Sequence, residues 1–319
     1  MKAIPGLKKV RDYHAGASPD IASMLRSMGE GGGFMAKNLF EVADTFAAMS
    51  SRDGCTKFLS FPAAMVSTGT RGILVDLVRE GLVDVIVTTC GTLDHDIART
   101  RADYYAGSFA MDDAMLRRRG YHRLGNVLVP LKDYGPLIEN TMQPLLRRLY
   151  DGGMRSISSE ALSAEIGRVL GSEDSLLYWA QKRKVPVFVP GLTDGAVGSQ
   201  VWLFVESHRD FRVDLIEDER RLSDITSDAK ETGALVLGGG ISKHHTIWWN
   251  LFRGGLDWAC YITTAGEFDG SLSGARVEEA VSWGKVKEKA KQASLYAEVT
   301  TVLPFIVSYA LTARKRAEK

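Results

Sequence analysis

The stretch ALVLGGGISKHHTIWWNLFRGGLDWACYITTAGEFDGSLSGARVEEAVSWGKV covers residues 234–286 and carries the strongest structural pattern in the chain. Its first four residues are apolar and favour a short buried strand. The glycines at 238–240 permit a tight turn, and the residues after them favour a helix. A strand, a glycine turn and a helix in this order are typical of an open α/β sheet, where helix amides point at an anionic group such as a pyrophosphate.

The glycine turn matches a dinucleotide-binding fingerprint only in part. Gly238 and Gly240 fit the first two glycines of that motif, but Lys243 stands at the third. A tight turn without any ligand would account for the same pattern, since glycine's backbone freedom is sufficient to make it. The turn therefore leaves both interpretations open.

The rest of the chain alternates apolar runs with amphipathic segments from about Cys55 onward. This alternation predicts a Rossmann-like, doubly wound, mostly parallel sheet with helices on both faces. The predicted strands cover residues 57–61, 84–88, 127–129, 185–189, 235–237 and 260–263. Ligands in such sheets bind beyond the carboxyl ends of the strands, so we expect the polar loops that follow them to converge. Those loops carry Ser67, Asp94, Asp194, His244 and Asp269.

Lys285 follows an apolar segment, residues 280–284, and could act as an amine nucleophile in imine chemistry if burial lowered its pKa. A surface lysine that packs only its alkyl chain is the alternative. His244 and His245 are neighbours on the predicted helix and face different ways, so at most one should enter a given site. We expect the other to be a packing residue.

Composition sets limits on partners and location. The chain has 319 residues, 45% hydrophobic and 25% charged, with a formal net charge of +1, which gives no reason to expect nucleic acid or membrane as a partner. The opening residues lack a signal-peptide core and no apolar run is long enough to span a bilayer, so we expect a cytoplasmic protein. Cys55, Cys90 and Cys260 have no metal-type spacing, and we predict reduced thiols and no metal site.

Two further segments invite a prediction. Residues 21–49 have a helical pattern that consecutive glycines interrupt at 29–33, and we interpret residues 1–50 as a helical arm beside a single α/β domain, residues 51–319. Asp94, His95 and Asp96 are too close together to share one metal ion. An amine-binding or hydrogen-bonding role is one interpretation of the three, and a solvated loop or a helix N-cap is the other.

Three motifs together closely resemble the deoxyhypusine synthase family: GGGISKHH at 238–245, EFDGSLSGAR at 267–276 and EEAVSWGK at 278–285. The likeness continues upstream through TKFLSFPAAMVSTG, VDVIVTTCGTLDHD, YHRLGNVLVP, YWAQKRKVPVF and PGLTDGAVG. The family uses NAD to oxidise spermidine and moves its aminobutyl group, through an enzyme lysine imine, to a lysine of a hypusine-carrying translation factor. The resemblance therefore implies an NAD-dependent aminobutyltransferase, and it also implies a homotetramer with active sites at subunit interfaces.

The resemblance assigns roles to individual positions. It implies Lys285 as the nucleophile and His244 as the base that contacts substrate. It implies that NAD contacts Val66, Ser67, Thr89, Gly91, Asp194, Gly239, Thr264, Ala265 and Glu298. For the amine it implies Asp94, His95, His244, Gly270, Ser271, Glu279 and Trp283. Physically, the carboxylates can hold ammonium groups, and the indole offers a face to an alkyl chain or a cation.

Some positions depart from the acid-rich pattern of eukaryotic members. His95, Ser199 and Leu272 stand where that pattern has carboxylates, and Ala63 and Ala64 replace polar residues in the first cofactor loop. Losing carboxylates weakens recognition of a terminal ammonium. Two alternatives to a deoxyhypusine synthase follow: a homospermidine synthase-like aminobutyltransferase with a small amine acceptor, and a catalytically silent protein that binds NAD or polyamine.

Overall fold

The computed structural model describes residues 9–317. Its helices are α1 (Ile21–Gly31), α2 (Phe34–Ser50), α3 (Thr70–Arg79), α4 (Cys90–Arg101), α5 (Asp113–Arg118), α6 (Gly135–Asp151), α7 (Ser159–Leu170), α8 (Leu176–Arg183), α9 (Ala196–Ser207), α10 (Leu215–Asp228), α11 (Gly240–Leu251), α12 (Val277–Ser282) and α13 (Val299–Ala317). Its strands are β1 (Cys55–Ser60), β2 (Val85–Val87), β3 (Tyr105–Ala106), β4 (Tyr121–Leu124), β5 (Val127–Pro130), β6 (Ser156–Ile157), β7 (Val187–Phe188), β8 (Arg212–Val213), β9 (Glu231–Leu237), β10 (Leu256–Thr263) and β11 (Val286–Tyr296).

Six strands form one parallel sheet in the order β11-β10-β9-β1-β2-β7. The chain starts at β1 in the middle, runs outward through β2 to β7, and returns beside β1 with β9 before it continues to β10 and β11. This doubly wound path confirms the predicted Rossmann-like α/β class. It also brings the carboxyl ends of the six strands to one edge of the sheet, where ligands of such folds bind.

Helices cover both faces of this sheet. Alternate strand residues point to opposite faces, so Leu59 and Leu235 pack in one core with Phe46 of α2. Phe58 packs in a second core with Ile247 of α11. Strands that are buried on both faces need apolar side chains at every position, which explains the continuous apolar runs in the sequence.

One predicted strand was placed wrongly. Residues 127–129 lie in β5, which belongs to a separate antiparallel sheet with β3 and β4 rather than to the parallel sheet. Only Gly125 and Asn126 separate β4 from β5, and Gly125 has a φ of +60°. Two residues are enough for a hairpin, whereas a parallel crossover needs a dozen or more.

The longest strand, β11, was not predicted. Its sequence, VKEKAKQASLY, is rich in charged residues and gives no apolar run. It forms the outer edge of the sheet, where one side of the strand meets solvent, and only Val286, Ala293 and Leu295 are buried. An edge strand can carry lysines because charge there discourages pairing with other chains.

The predicted helix break near residues 29–33 is confirmed. Helix α1 ends at Gly31, and Gly32 and Gly33 adopt positive φ values of 62° and 120° before α2 begins. Helix α2 packs against β10, β11 and α13. Residues 1–8 of the expected arm lie outside the described residues, and a domain boundary at residue 50 stays a prediction. Within residues 9–317, no helix is long and apolar enough to cross a bilayer.

The cysteines are buried free thiols, as predicted. Burial raises the pKa of Cys55 and of Cys90 to about 12. A thiol that stays protonated is a poor nucleophile and a poor metal ligand. These residues therefore contribute to packing.

Candidate active site

The glycine turn after β9 is built as the sequence predicted. Gly238 and Gly240 have φ values of +77° and +73°, and α11 begins at Gly240. A Cβ atom added at Gly239 would lie 2.4 Å from the side chain of Ser273. Gly239 thus lets the loop between β10 and α12, residues 264–276, lie directly against the turn, and this loop carries the predicted residues Gly270 and Ser271.

Lys243 is a buried residue that sequence reasoning set aside as an imperfect third glycine. Its ammonium donates to the carbonyl oxygens of Leu272 and Ala275 at 3.2 and 3.1 Å, and lies 4.7 Å from the centroid of the Tyr261 ring. Burial lowers the pKa of Lys243 to about 8, against an opposing effect of the Glu279 carboxylate. The residue fastens the 264–276 loop to α11. Helical spacing could have indicated it, because residues 243, 246, 247 and 250 share the buried face.

The two histidines separate as predicted. His244 is exposed and its ring stacks on Trp248, with centroids 5.7 Å apart. Burial lowers its pKa, and the positive charge of Lys285 lowers it further. His245 turns instead toward Glu219 of α10, 3.5 Å away, and burial lowers its pKa to about 4. His244 is therefore the imidazole that shares a surface with Lys285.

Lys285 is half-buried between two indole rings. Its ammonium lies 5.2 Å from the ring centroid of Trp283 and 5.7 Å from that of Trp248. Aromatic faces attract the protonated amine and offer an apolar surface to an alkyl chain. The structure thus brings together Lys285, His244 and Trp283, which lie 41 residues apart at most in the sequence. Glu279 is exposed on α12, one turn before Trp283.

Lys285, the predicted nucleophile, lies at the amino end of the sheet. The carbonyl oxygen of Lys285 accepts a hydrogen bond of 3.0 Å from the amide of Leu256, the first residue of β10. Because β10 has 8 residues, its two ends are roughly 23 Å apart at about 3.3 Å per residue. The predicted cofactor loops follow the opposite, carboxyl ends of the strands.

Those cofactor loops pack closely on one another. The hydroxyl of Ser67 donates to the carbonyl oxygen of Ala64 at 2.6 Å, and the hydroxyl of Thr89 accepts from the amide of Ala63 at 3.1 Å. A Cβ atom at Gly91 would lie 2.8 Å from that of Ala63. The loops after β1 and β2 therefore converge as expected. Val66, in the same segment, is fully buried.

Known proteins were compared with this chain. The family model of deoxyhypusine synthase matches residues 23–310. A protein of Picrophilus torridus described as a probable deoxyhypusine synthase is 54% identical over 299 residues, which cover 94% of this chain and 96% of the relative. A protein of Thermoplasma acidophilum with the same description is 50% identical over 301 residues, covering 94% and 96%. The chain belongs to the deoxyhypusine synthase family.

This membership confirms the family predicted from the sequence motifs, an enzyme family of transferases in hypusine biosynthesis. A crystal structure from Entamoeba histolytica, described as that of a "putative deoxyhypusine synthase", matches the fold with a TM-score of 0.64. It is 21% identical and covers 95% of this chain and 97% of the other. At that identity the likeness supports the α/β fold alone.

In this deoxyhypusine synthase family member, Asp94 is a buried residue of α4 and the solvated-loop interpretation is wrong. Its carboxylate accepts hydrogen bonds from the hydroxyl of Tyr134 at 2.9 Å and from the amides of Ala196 and Val197 at 2.9 and 2.8 Å. Burial raises the pKa of Asp94, and the amides of α9 oppose that rise. Asp96 is buried as well and caps α8 through Leu177. Both carboxylates thus hold helices together, which the sequence could not reveal.

His95 cannot replace the charge of the carboxylate that eukaryotic members carry there. Its Nδ1 atom lies 3.0 Å from the hydroxyl of Tyr104, and burial lowers its pKa to about 4. A neutral imidazole can hydrogen-bond a ligand but cannot balance an ammonium charge. Ser199 and Leu272 are exposed, and Leu272 has a φ of +59°, which is uncommon for a branched residue.

The remaining cofactor candidates lie on the rim of the carboxyl edge. Asp194 and Thr264 are exposed. Glu298 caps α13 by accepting from the amides of Thr300 and Thr301 at 3.0 and 2.9 Å. Ser67, Arg99 and Thr300 line one cavity of about 660 Å³. Ala265 lies apart from it, beside β11.

Proposed function

We propose that the chain transfers the aminobutyl group of spermidine, through an imine on Lys285, to a specific lysine of a hypusine-carrying translation factor precursor, with NAD as cofactor. The observation that carries this proposal is the placement of the Lys285 amine between Trp248 and Trp283, on the same surface as His244. An amine nucleophile, a base and a surface for an alkyl chain are the groups this reaction needs from the protein.

His244 and Lys285 have different roles in the proposed reaction. When bound, NAD would supply the hydride acceptor that oxidation of the carbon beside the secondary amine of spermidine requires. His244, whose pKa lies below its usual value, is neutral near pH 7 and can accept the proton that leaves the nitrogen. The Lys285 amine then attacks the oxidised carbon and displaces the three-carbon diamine. The acceptor lysine attacks the resulting Lys285 imine and displaces the Lys285 amine, which leaves an imine on the acceptor for the returned hydride to reduce.

The carboxyl edge of the sheet fits the cofactor. The Gly238–Gly240 turn at the start of α11 exposes helix amides at the position where this fold class binds a pyrophosphate. We propose that the contacts come from Val66, Ser67, Thr89, Gly91, Asp194, Gly239, Thr264, Ala265 and Glu298. For the amine we propose Asp94, His95, Gly270, Ser271, Glu279 and Trp283, with Asp94 acting from its buried position through α9.

The separation of the two sheet edges favours a composite site. Roughly 23 Å of strand, at about 3.3 Å per residue, lies between the backbone of Lys285 and the loop that follows β10, although α11 brings His244 and Trp248 from the glycine turn toward the Lys285 ammonium. A second copy would resolve this, and α11 presents Ile241, Trp248 and Phe252 as an exposed apolar stripe for such contact. We therefore propose the homotetramer with interfacial sites that the family resemblance implies, acting in the cytoplasm.

A mixing experiment tests the composite site. Lys285→Arg and Asp194→Ala each disable one half, so each homo-oligomer should be inactive. After the two are unfolded and refolded together, some sites would combine an intact lysine with intact cofactor loops, and activity should return. If mixed samples stay inactive although hybrid oligomers form, both halves belong to one chain.

A second function is favoured by the altered amine positions. His95 is neutral, and Ser199 and Leu272 carry no charge, so one end of a polyamine meets fewer carboxylates than in eukaryotic members. A homospermidine synthase-like transfer to a small amine would need less charge at that end. A silent protein that binds NAD or polyamine would use the same surfaces without the imine.

One assay separates the three functions. Purified protein is incubated with NAD and labelled spermidine, and borohydride is added before the product is analysed. Label on Lys285 supports an enzyme, and its absence supports a silent binder. Transfer of label to the translation factor precursor, and not to putrescine, supports the proposed reaction. Transfer to putrescine alone would replace it with the small-amine reaction.

A further inference from the structure

The outer edge of β11 borders a second cavity, of about 620 Å³, away from Lys285. Helix α2 forms one side of it through Met35 and Asn38, and parts of the 264–276 loop form the other. Asn38 donates to the carbonyl oxygen of Ser294 at 3.0 Å, which fixes α2 to this strand edge. Neither Lys285 nor His244 lines this cavity, whereas Ala265, a proposed NAD contact, lies on its wall.

Two buried oxygen atoms in the cavity lining lack hydrogen-bond partners. Tyr261 is only 4% exposed, and its hydroxyl has no partner among the described residues. The side-chain oxygen of Gln292 is buried and likewise unpaired within residues 9–317. Leaving a buried polar atom unpaired is costly, so both positions call for a ligand that can supply hydrogen-bond donors.

The charges of the lining residues favour a cation. Glu41 forms an ion pair with Lys37 at 3.3 Å, and Glu267 forms one with Arg276 at 2.5 Å. Glu278 also lines the cavity and has no ion-pair partner in the described part of the chain. The ammonium of Lys243 lies 4.7 Å from the centroid of the Tyr261 ring, and the carboxylate of Glu279, which is outside the lining, opposes its charge. The unbalanced charge of the lining is therefore negative.

We propose that this cavity binds a primary ammonium group on an alkyl chain, held by the Glu278 carboxylate, the Gln292 side-chain oxygen and the Tyr261 hydroxyl. An ammonium has three N–H donors, one for each of these oxygens. Glu278 and Glu279 are neighbours on α12 and point about 100° apart, at about 3.6 residues per turn. Glu279 acts instead on Lys243. The helix thus serves two separate amine sites, and the second does not depend on the Lys285 imine.

The test observes Tyr261 directly in the full-length protein. Tyrosine is labelled with ¹³C, the Tyr261 ring signal is assigned by its loss in Tyr261→Phe, and butylamine is titrated. We expect a saturable shift of that signal. Charge-assisted hydrogen bonds contribute enough that Glu278→Gln and Gln292→Leu should each raise the dissociation constant about tenfold or more. Glu267→Gln, a carboxylate of the same rim that Arg276 already neutralises, is the matched control and should change it less than about threefold.

Two outcomes would overturn the proposal. A Tyr261 signal that does not move at saturating butylamine means that water alone satisfies the two oxygens. A shift with the same dissociation constant in Glu278→Gln and Gln292→Leu means that the amine binds elsewhere. Melting temperatures confirm that each variant is folded. Borohydride trapping of label on Lys285 is measured on the same samples, so the failure of this site is distinguishable from the failure of the proposed reaction.

Discussion

The two ends of the parallel sheet carry different kinds of chemistry. At the carboxyl end, the loops after β1, β2 and β9 offer backbone amides, hydroxyls and glycines in close contact, such as Gly91 against Ala63. At the amino end, the half-buried Lys285 lies between two indoles. In the proposed function, the first surface holds the cofactor and the second reacts with the amine. The contrast predicts that damage at one end should spare the function of the other.

The strongest test of that division is Lys285→Arg. Guanidinium stays protonated and cannot attack a carbon, so transfer and borohydride-trapped label should both disappear. NAD affinity, measured by fluorescence titration, should not change, since the cofactor loops lie at the other end. Lys287→Arg is the matched control because Lys287 is two residues away and pairs with Asp257 at 2.6 Å. Turnover in Lys285→Arg would remove this lysine from the mechanism.

His244→Ala should slow spermidine oxidation about a hundredfold to ten-thousandfold, the usual contribution of a general base. Because burial and Lys285 lower the pKa of His244, the base form persists below pH 6.5, and the acidic limb of the rate profile should fall below that pH. Stopped-flow absorbance at the reduced-nicotinamide band measures the oxidation rate and its dependence on pH. His245→Ala should lose much less, and equal losses would indicate a folding defect.

Gly239→Ala tests the carboxyl end of the sheet. The new methyl group would clash with the side chain of Ser273. Overpacking of this kind typically lowers the free energy of unfolding by about 1–3 kcal/mol. We expect weaker NAD binding, by calorimetry, together with a lower melting temperature. Gly72→Ala is the control, since its Cβ would meet no atom within 4 Å and alanine favours the helix. Unchanged NAD affinity in Gly239→Ala would separate the glycine turn from the cofactor.

Glu279→Gln should weaken spermidine binding about tenfold, as expected when a charge-assisted hydrogen bond becomes a neutral one. Glu279 is exposed in the single chain, so the loss of spermidine affinity should be larger at lower salt concentration. Calorimetric titration with spermidine at two salt concentrations gives the measurement. NAD affinity should hold, and unchanged spermidine affinity would exclude Glu279 from the amine site.

The smallest effect is expected from Leu272→Asp, which restores a carboxylate found in eukaryotic members. Aspartate tolerates the positive φ of this position better than leucine, so stability should not fall. Discrimination for spermidine over putrescine should rise a few-fold, as for an exposed ion pair. Competition kinetics with both amines checks this. No change in selectivity would place residue 272 outside the amine site.

Local patterns predicted much of the architecture because strands and turns depend mainly on neighbours in sequence. The apolar run before Gly238 and the glycines after it were sufficient to predict β9, the turn and α11. The same method failed for β11, whose lysines are compatible with an edge strand but also with a loop. It also misassigned residues 127–129, because an apolar run does not reveal which strand will pair with it.

The roles of charged residues depended on distant partners, which no local pattern contains. The motif order identified the family and drew attention to Lys285 and His244, since short motifs preserve the spacing that chemistry needs. That Asp94 caps α9, about 100 residues later, or that Lys243 fastens the 264–276 loop, follows only from the packing of the folded chain. A buried charge is stabilised by whatever donors or acceptors the fold places beside it, so its role is a property of the three-dimensional arrangement.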